Sequence, residues 1–157
     1  MSISIEVPGW RSLALAHLAI DYNGTVALDG RLVDGIAGRF AALAGQVRIH
    51  VLTADTFGRA RRELLDLDCK LIVLERGNEP IQKEEYVERL GAEAVVAIGN
   101  GRNDLEMLKR AALAIAVIGG EGAASETLAA ADIVVGDAVA ALDLLLNPLR
   151  ITATLRS

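Results

Sequence analysis

The sequence predicts an α/β protein with three layers: a doubly wound, mainly parallel five-stranded sheet with helices on both faces, in a Rossmann-like arrangement. Short apolar runs alternate with helical patterns along most of the chain, which is typical of parallel strands joined by right-handed crossovers. Hydrophobic residues make up 52% of the 157 residues and aromatic residues only 3%. The core is therefore built from Ala, Leu, Ile and Val, which suits strands that are buried on both faces.

The N-terminal part predicts two small hairpins beside the main sheet. Residues 2–7 alternate polar and apolar side chains, Pro8-Gly9 marks a turn, and a second extended stretch runs over residues 11–21. This pattern indicates an extra N-terminal hairpin. Asp29-Gly30 lies between two short apolar stretches, which is a strong signal for a second hairpin that would form a small flap.

Strands and helices alternate from there to the end of the core. We expect further strands over residues 47–52, 71–74, 94–98, 113–118 and, as a short strand, 133–135. We expect helices over residues 57–67, 80–90, 103–111, 123–130 and 137–146. Pro80 and Gly91 bound the second of these helices, as Pro and Gly often do. The tail over residues 151–155 alternates again and is consistent with an edge strand.

Composition and charge limit the possible functions. The whole chain, residues 1–157, is expected to form one domain with a core over about residues 16–146. A formal net charge of −5 and few aromatic rings argue against nucleic acid as a partner, since phosphates need a basic face and bases need stacking platforms. The single cysteine, Cys69, allows no internal disulfide and favours the reducing cytoplasm. We expect no membrane segment and no signal peptide, because neither pattern is present.

Asp21 is the most informative residue of the chain. The apolar run over residues 18–20 ends in this acid, and Gly24 and Thr25 follow it closely. A carboxylate at the end of a buried strand lies at the carboxyl edge of the sheet, where open α/β folds bind ligands. Such an acid can be a nucleophile, a metal ligand or both. Taken alone, Asp21 is better explained as an acid that ends a strand or caps a turn.

Other polar residues follow the later strands in the same way. Thr53 follows the strand over residues 47–52, Lys83 lies early in the helix after Pro80, and Asn103 and Asp104 follow a Gly-rich turn. Taken singly, each has an ordinary structural explanation: a helix cap for Thr53, a solvated lysine, and an N-cap that pairs Asn103 with Glu106. Taken together, they meet at one edge of a parallel sheet. Two acids that hold Mg²⁺ beside a hydroxyl and an ammonium that bind phosphoryl oxygens suit phosphoryl transfer.

These residues resemble the four ordered motifs of the haloacid dehalogenase superfamily. The motifs lie at residues 21–25, 52–55, 83 and 99–104. The residues that follow the last motif, 114–117, 122–124 and 130–134, are similar to the phosphorylation domain of P-type ATPases. The chain therefore resembles a small, soluble, P-type-ATPase-like hydrolase in one haloacid-dehalogenase-like domain.

The resemblance implies a role for each motif residue. The catalytic residues would be Asp21, Thr53 and Lys83, with Asp21 as the nucleophile that attacks phosphorus. The phosphate-binding residues would be Asn23, Gly24, Thr25, Thr53, Ala54, Lys83 and Asn103. The ligands of a Mg²⁺ cofactor would be Asp21, the backbone carbonyl of Asn23, Asn100 and Asp104.

Three departures from the family pattern narrow this hypothesis. Only 27 residues separate Thr25 from Thr53 and 29 separate Thr53 from Lys83, which leaves no room for a nucleotide domain or a large cap. Asn23 occupies the place where phosphatases of the family carry an Asp as general acid and base, and an amide does not transfer protons in that way. Asn100 replaces a carboxylate ligand, so more of the metal binding is expected to fall on Asp104.

We therefore predict a Mg²⁺-dependent phosphohydrolase or phosphotransferase with slow turnover, acting on a small phosphorylated substrate or a phosphoprotein. The alternative is a catalytically weak phosphate-binding or regulatory module that completes its site in a homo-oligomer, with residues 2–7 and 151–155 as pairing edges. Arg59, Arg61 and Arg62 are predicted to form a solvated helix face rather than an anion site, because Glu63 and Asp66 lie beside them.

Overall fold

In the computed structural model, which describes residues 1–157, strands and helices alternate along most of the chain. The strands are β1 (Ile3–Val7), β2 (Arg11–Leu15), β3 (His17–Asp21), β4 (Ala27–Leu28), β5 (Arg31–Leu32), β6 (Arg48–Thr53), β7 (Lys70–Val73), β8 (Val95–Gly99), β9 (Leu113–Val117) and β10 (Ile133–Val135). The helices are α1 (Ile36–Leu43), α2 (Arg59–Glu63), α3 (Glu79–Leu90), α4 (Leu105–Arg110), α5 (Ser125–Ala130), α6 (Ala138–Leu146) and α7 (Leu149–Leu155).

The central sheet is parallel throughout, in the strand order β10-β9-β8-β3-β6-β7. It has six strands rather than the predicted five, because the short strand β10 also pairs, with Ile133 opposite Ile115 of β9. Strand β3 lies between β8 and β6, with Ile20 opposite Ile98 and Asp21 opposite Leu52. The predicted doubly wound α/β fold is confirmed, and Asp21 ends one of its two middle strands.

Both faces of the sheet are covered by apolar side chains. In β3, Leu18 and Ile20 belong to the core beneath α1 and α6, whereas Ala19 belongs to the core beneath α3 and α4. All three side chains are fully buried. Burial of a Leu or Ile side chain stabilises a fold by roughly 1.5–3 kcal/mol, so this alternation fixes the register of β3 and the position of its terminal Asp21.

Both predicted hairpins are present. Strands β1 and β2 pair antiparallel, and so do β4 and β5 around the predicted turn. Asp29 and Gly30 have φ values of 51° and 81°, the positive values that a tight two-residue turn requires. The extended stretch over residues 11–21 is two strands rather than one, since it divides at Ala16 and only its second half, β3, enters the central sheet.

Two predicted elements were wrong. Residues 151–155 lie in helix α7, because Ile151 and Leu155 are four residues apart and pack together on the core from one face of a helix. The helix expected over residues 57–67 is shorter, because Gly58 adopts φ 68° and α2 begins after it. Phe57, the first residue of the predicted helix, lies outside α2 and is 86% exposed.

No single helix of this protein is long and apolar enough to cross a membrane. Helices α6 and α7 reach the required length and composition only as a pair, and the chain bends by 105° between them.

Two histidines and a tyrosine form a polar chain within the core. Nδ1 of His17 lies 3.1 Å from Nε2 of His50, and Nδ1 of His50 lies 2.8 Å from the Tyr86 hydroxyl. Burial lowers the pKa of His50 to about 4, and the positive charges of His17, Lys70 and Arg48 act in the same direction. His50 is therefore neutral in the folded protein at pH 7.

The free energy of unfolding is expected to fall as the pH drops from 6.5 towards 4. In that range the unfolded chain binds a proton at His50 that the folded protein does not bind, and each pKa unit is worth about 1.4 kcal/mol. Urea unfolding between pH 7.5 and 4.5 would measure this loss for the wild type and for His50→Asn. The variant should lose less stability than the wild type across this range, and equal losses would contradict the assignment.

Candidate active site at the carboxyl edge of the sheet

The residues of the four predicted motifs meet at the carboxyl edge of the sheet. They line a cavity of about 290 Å³, which we call the phosphate cavity. Its lining residues are Asp21, Asn23, Thr53, Ala54, Glu79, Lys83, Asn100, Gly101, Asn103 and Glu121. The cavity thus contains most of the predicted site residues, and it lies where parallel sheets bind ligands.

Lys83 is a buried cation between two carboxylates. Its Nζ donates to Oδ1 of Asp21 at 2.8 Å and to Oδ1 of Asp104 at 2.7 Å, and its side chain is 1% exposed. Burial alone would lower the pKa of Lys83, but the charges of Asp21 and Asp104 and the hydrogen bonds to them raise it above its usual value. The ammonium therefore stays charged and joins the first, third and fourth motifs.

Asp21 is strongly affected by its surroundings. Burial raises the pKa of its carboxyl group to about 7, and the charge of Asp104 acts in the same direction. The charge and hydrogen bond of Lys83 and the hydrogen bond from Thr25 oppose this rise. A bound cation would favour the carboxylate in the same way as Lys83 does. The site therefore holds a carboxylate that a cation stabilises.

Asp104 lies behind Lys83 rather than on the cavity wall. It is fully buried, and its Oδ2 accepts hydrogen bonds from the backbone N–H groups of Asn100 and Gly101, both at 3.0 Å. Gly99 leaves room for it, since a Cβ added there would lie 2.5 Å from Cγ of Asp104. In this structure Asp104 orients Lys83 and the turn that carries Asn100. The capping pair of Asn103 and Glu106, the structural alternative for Asn103, is absent, and Asp104 bonds this turn instead.

Oxygen donors suited to a hard cation lie next to one another in the phosphate cavity. The Thr25 hydroxyl lies 3.1 Å from Oδ2 of Asp21 and 3.3 Å from Oδ1 of Asn100. The carboxylate oxygen and the amide oxygen therefore lie near each other, on either side of this hydroxyl. Asn23 is exposed and lines the cavity beside them. The chain has no cluster of three or more His, Cys, Asp or Glu side chains that could hold a metal ion. A cation here would therefore need amide or backbone oxygens besides Asp21.

Gly24 and Thr25, two of the predicted phosphate-binding residues, bond through their backbone within their own turn. The N–H of Gly24 donates to the carbonyl of Ala27 at 2.8 Å, and the N–H of Thr25 donates to the carbonyl of Tyr22 at 3.2 Å. Both amides therefore already have acceptors in this structure. Thr53, Ala54 and Asn103 line the phosphate cavity as predicted.

The sequence prediction missed Glu79 and Glu121, which also line the phosphate cavity. Gly24 has φ 78°, and a Cβ added to it would lie 2.2 Å from Oε2 of Glu121. The loop that carries Glu121 is thus packed directly against the first motif. The glycines around Glu121 are the feature of the sequence that could have indicated this loop. Together with Asp21, these two acids give the cavity a negative charge, and Lys83 is the cation among its lining residues.

Lys83→Met is expected to destabilise the protein by about 3–5 kcal/mol, because it leaves the carboxylates of Asp21 and Asp104 buried without their shared cation. Urea unfolding measures this loss. Lys109→Met is the matched control, since Lys109 is more than half exposed and is paired only with Glu106 at 3.7 Å. Equal losses in the two variants would contradict the structural importance of the buried cation.

Parts of the sequence are similar to known proteins. A sequence profile described as haloacid dehalogenase-like hydrolase matches residues 81–140. An uncharacterized protein of Methanocaldococcus jannaschii is 51% identical over 84 residues, which cover 51% of this chain and 90% of that protein. The human probable phospholipid-transporting ATPase IM is 29% identical over 118 residues, which cover 71% of this chain and only 10% of the ATPase.

A solved structure shows the same fold. The cobalt-bound deoxy-D-mannose-octulosonate 8-phosphate phosphatase of Haemophilus influenzae superimposes with a TM-score of 0.71 at 17% identity, and the match covers 91% of this chain and 94% of that one. Residues 81–140 are thus similar to haloacid dehalogenase-like hydrolases, and the chain shares its fold with this phosphatase. It is also similar to P-type ATPases, of which it spans a small part.

Proposed function

We propose that this protein is a metal-dependent phosphohydrolase or phosphotransferase that acts through an aspartyl phosphate on Asp21. The observation that carries the proposal is the position of Asp21. Its carboxylate lies in the phosphate cavity, bonded to Lys83 through one oxygen and to Thr25 through the other. A carboxylate held in this way can attack the phosphorus of a phosphate ester and release the leaving group.

The residues present fit a magnesium ion. Asp21 and Asn100 offer side-chain oxygens close together, and the Asn23 carbonyl would complete the set within the chain. Asp104, the other predicted ligand, would act indirectly, because its oxygens bond Lys83 and two backbone amides. When bound, the ion would offset the negative charge shared by the phosphoryl group and the acidic cavity. Lys83 and Thr53 would bind phosphoryl oxygens, and Asn103 lies at the same wall.

Asn23 favours slow turnover. It is exposed and lines the phosphate cavity, in the place where a general acid and base is expected, and its amide does not supply that chemistry. The same observation supports the second candidate, a phosphate-binding or regulatory module with little hydrolysis. For either function we propose a small phosphorylated molecule or a phosphoprotein as the partner, in the cytoplasm. We also propose assembly into a homo-oligomer, in which a second copy would cover the site.

The decisive test is the intact mass of the protein after incubation with acetyl phosphate and Mg²⁺. We expect a gain of one phosphoryl group, together with release of phosphate from a panel of phosphorylated metabolites. EDTA should abolish both, and Mg²⁺ should restore them. No phosphoryl gain and no metal-dependent phosphate release would overturn the proposal that this is an enzyme. Binding of phosphate without turnover would favour the regulatory module.

A further inference from the structure

A second cavity adjoins the phosphate cavity and is larger, about 470 Å³. We call it the side cavity. It lies between the flap hairpin and helix α2, and it is lined by Tyr22, Asn23, Gly30, Ala54, Asp55, Thr56, Phe57, Arg59 and Arg62. Asn23 and Ala54 line both cavities, so the two cavities meet at these residues. A phosphate ester with its phosphoryl group at Asp21 would extend its leaving group past these two residues into the side cavity.

The charges of the two cavities are opposite. Arg59 and Arg62 are three residues apart on α2 and therefore lie on one face, which lines the side cavity, whereas Arg61 does not line it. Neither arginine forms an ion pair within the chain. The phosphate cavity, by contrast, is lined by Glu79 and Glu121. An anionic group is thus repelled at one end of the adjoining cavities and attracted at the other.

The surroundings of the two arginines leave them available. The carboxylate of Asp55 accepts hydrogen bonds from the backbone N–H groups of Ala60 and Arg61, at 2.7 and 3.2 Å, which directs it to the start of α2. Arg59 extends across the flap, since a Cβ added to Gly30 would lie 2.7 Å from its Cδ. The two guanidinium groups are the cations that line this cavity, and no carboxylate of the chain forms an ion pair with them.

Two rings border the same cavity. Tyr22 is buried and donates a hydrogen bond from its hydroxyl to the Gly30 carbonyl at 2.8 Å, which fixes its ring beneath the flap. Phe57 is 86% exposed at the rim, where it packs on nothing in the chain that would bury it. The side cavity therefore offers apolar walls to the body of a leaving group and two guanidinium groups to its far end.

We infer that the substrate is a phosphate ester whose leaving group carries a second anionic group, a carboxylate or a second phosphate, bound by Arg59 and Arg62. This inference rests on the proposed function of Asp21. Guanidinium groups bind both kinds of anion through paired N–H donors, so the chemistry of recognition is the same for the two. Arg59 and Arg62 would thus determine specificity, while the acidic phosphate cavity and its metal hold the reacting phosphoryl group.

Matched substrate pairs test the inference in the full-length protein. Glycerol 3-phosphate is compared with 3-phosphoglycerate, which adds a carboxylate, and fructose 6-phosphate with fructose 1,6-bisphosphate, which adds a phosphate. In the wild type we expect kcat/KM to be at least about tenfold higher for the member with two anionic groups in one pair, the usual order for a charged hydrogen bond. The pair that shows the preference identifies the anion. Equal values, or a preference for the member with one anionic group, in both pairs would overturn the inference.

The variants Arg59→Gln and Arg62→Gln should remove this preference, mainly through KM, because they lower kcat/KM more for the member with two anionic groups than for the member with one. Arg61→Gln is the matched control, since it removes the same charge from the same helix outside the cavity. Equal losses for both members of a pair, or an equal effect of Arg61→Gln, would overturn the role of the two arginines.

A binding measurement separates this inference from the proposed function. Calorimetry with the Asp21→Asn variant needs no turnover, and it compares 3-phosphoglycerate with glycerol 3-phosphate and fructose 1,6-bisphosphate with fructose 6-phosphate. We expect the compound with two anionic groups to bind more tightly, and Arg59→Gln and Arg62→Gln to remove this difference. That result supports the side cavity as an anion site even if the wild type hydrolyses nothing. Equal binding within both pairs overturns the inference even if Asp21 is phosphorylated.

Discussion

Asp21→Asn is expected to abolish both the gain of a phosphoryl group and the release of phosphate. An amide of the same shape does not attack phosphorus, and loss of a nucleophile lowers kcat by about 10⁴-fold or more in well-studied hydrolases. The fold should persist, because burial already raises the pKa of the Asp21 carboxyl to about 7 and a neutral side chain costs less to bury. Metal-dependent phosphate release and intact mass measure the loss, and urea unfolding checks the fold.

The matched control for this variant is Asp66→Asn. Asp66 is exposed and lies outside both cavities, so the same chemical change should leave phosphate release unaltered. Activity that survives in Asp21→Asn would contradict the nucleophile assignment. Loss of activity together with loss of cooperative unfolding would instead show that Asp21 is needed for folding.

The position of Asp21 was predictable because it depends on the backbone. Strands of a parallel sheet end at one edge, so the residues that follow β3, β6 and β8 had to lie near one another once the alternation of strands and helices was recognised. Lys83 was predictable only through the order of the motifs, since a lysine early in a helix is usually solvated. In the structure it is 1% exposed.

The errors arose where tertiary packing decided between two local patterns. Residues 151–155 alternate polar and apolar side chains, but the pair Ile151 and Leu155 also fits one turn of a helix, and packing of α7 on β1 favours the helix. The position of Thr152 adds to this, because its hydroxyl donates to the Glu6 carbonyl at 3.0 Å. Local sequence alone does not contain that contact.

The sequence also did not predict which groups the side chains of the site would contact. Asp104 follows the Gly-rich turn as predicted, but its oxygens are bonded to Lys83 and to two backbone amides, on the far side of Lys83 from the cavity. Arg59 and Arg62 were predicted to be solvated with Arg61, and only the structure separates the two that line the side cavity from the one that does not. The spacing of residues predicts which side chains share a face of a helix, but only the fold determines what that face contacts.

The side chain at position 23 determines the expected rate of phosphate release. Asn23 lines both cavities, which is where a phosphoryl group at Asp21 would join its leaving group. A carboxylic acid there would protonate the leaving group and, as a carboxylate, would then activate the water that releases phosphate from Asp21. The amide of Asn23 does neither, so an aspartyl phosphate formed on this protein should persist.

Asn23→Asp is therefore expected to raise phosphate release by about 10²–10⁴-fold, the usual contribution of general acid–base catalysis, and to shorten the lifetime of the phosphorylated protein by a similar factor. Asn103→Asp is the control, because it adds the same charge to the phosphate cavity without facing the side cavity. Stopped-flow phosphate release and the decay of the phosphorylated mass would measure both variants. A gain confined to Asn23→Asp identifies an enzyme slowed at this one residue, whereas no turnover in the wild type or in Asn23→Asp, with phosphate binding retained, favours the regulatory module.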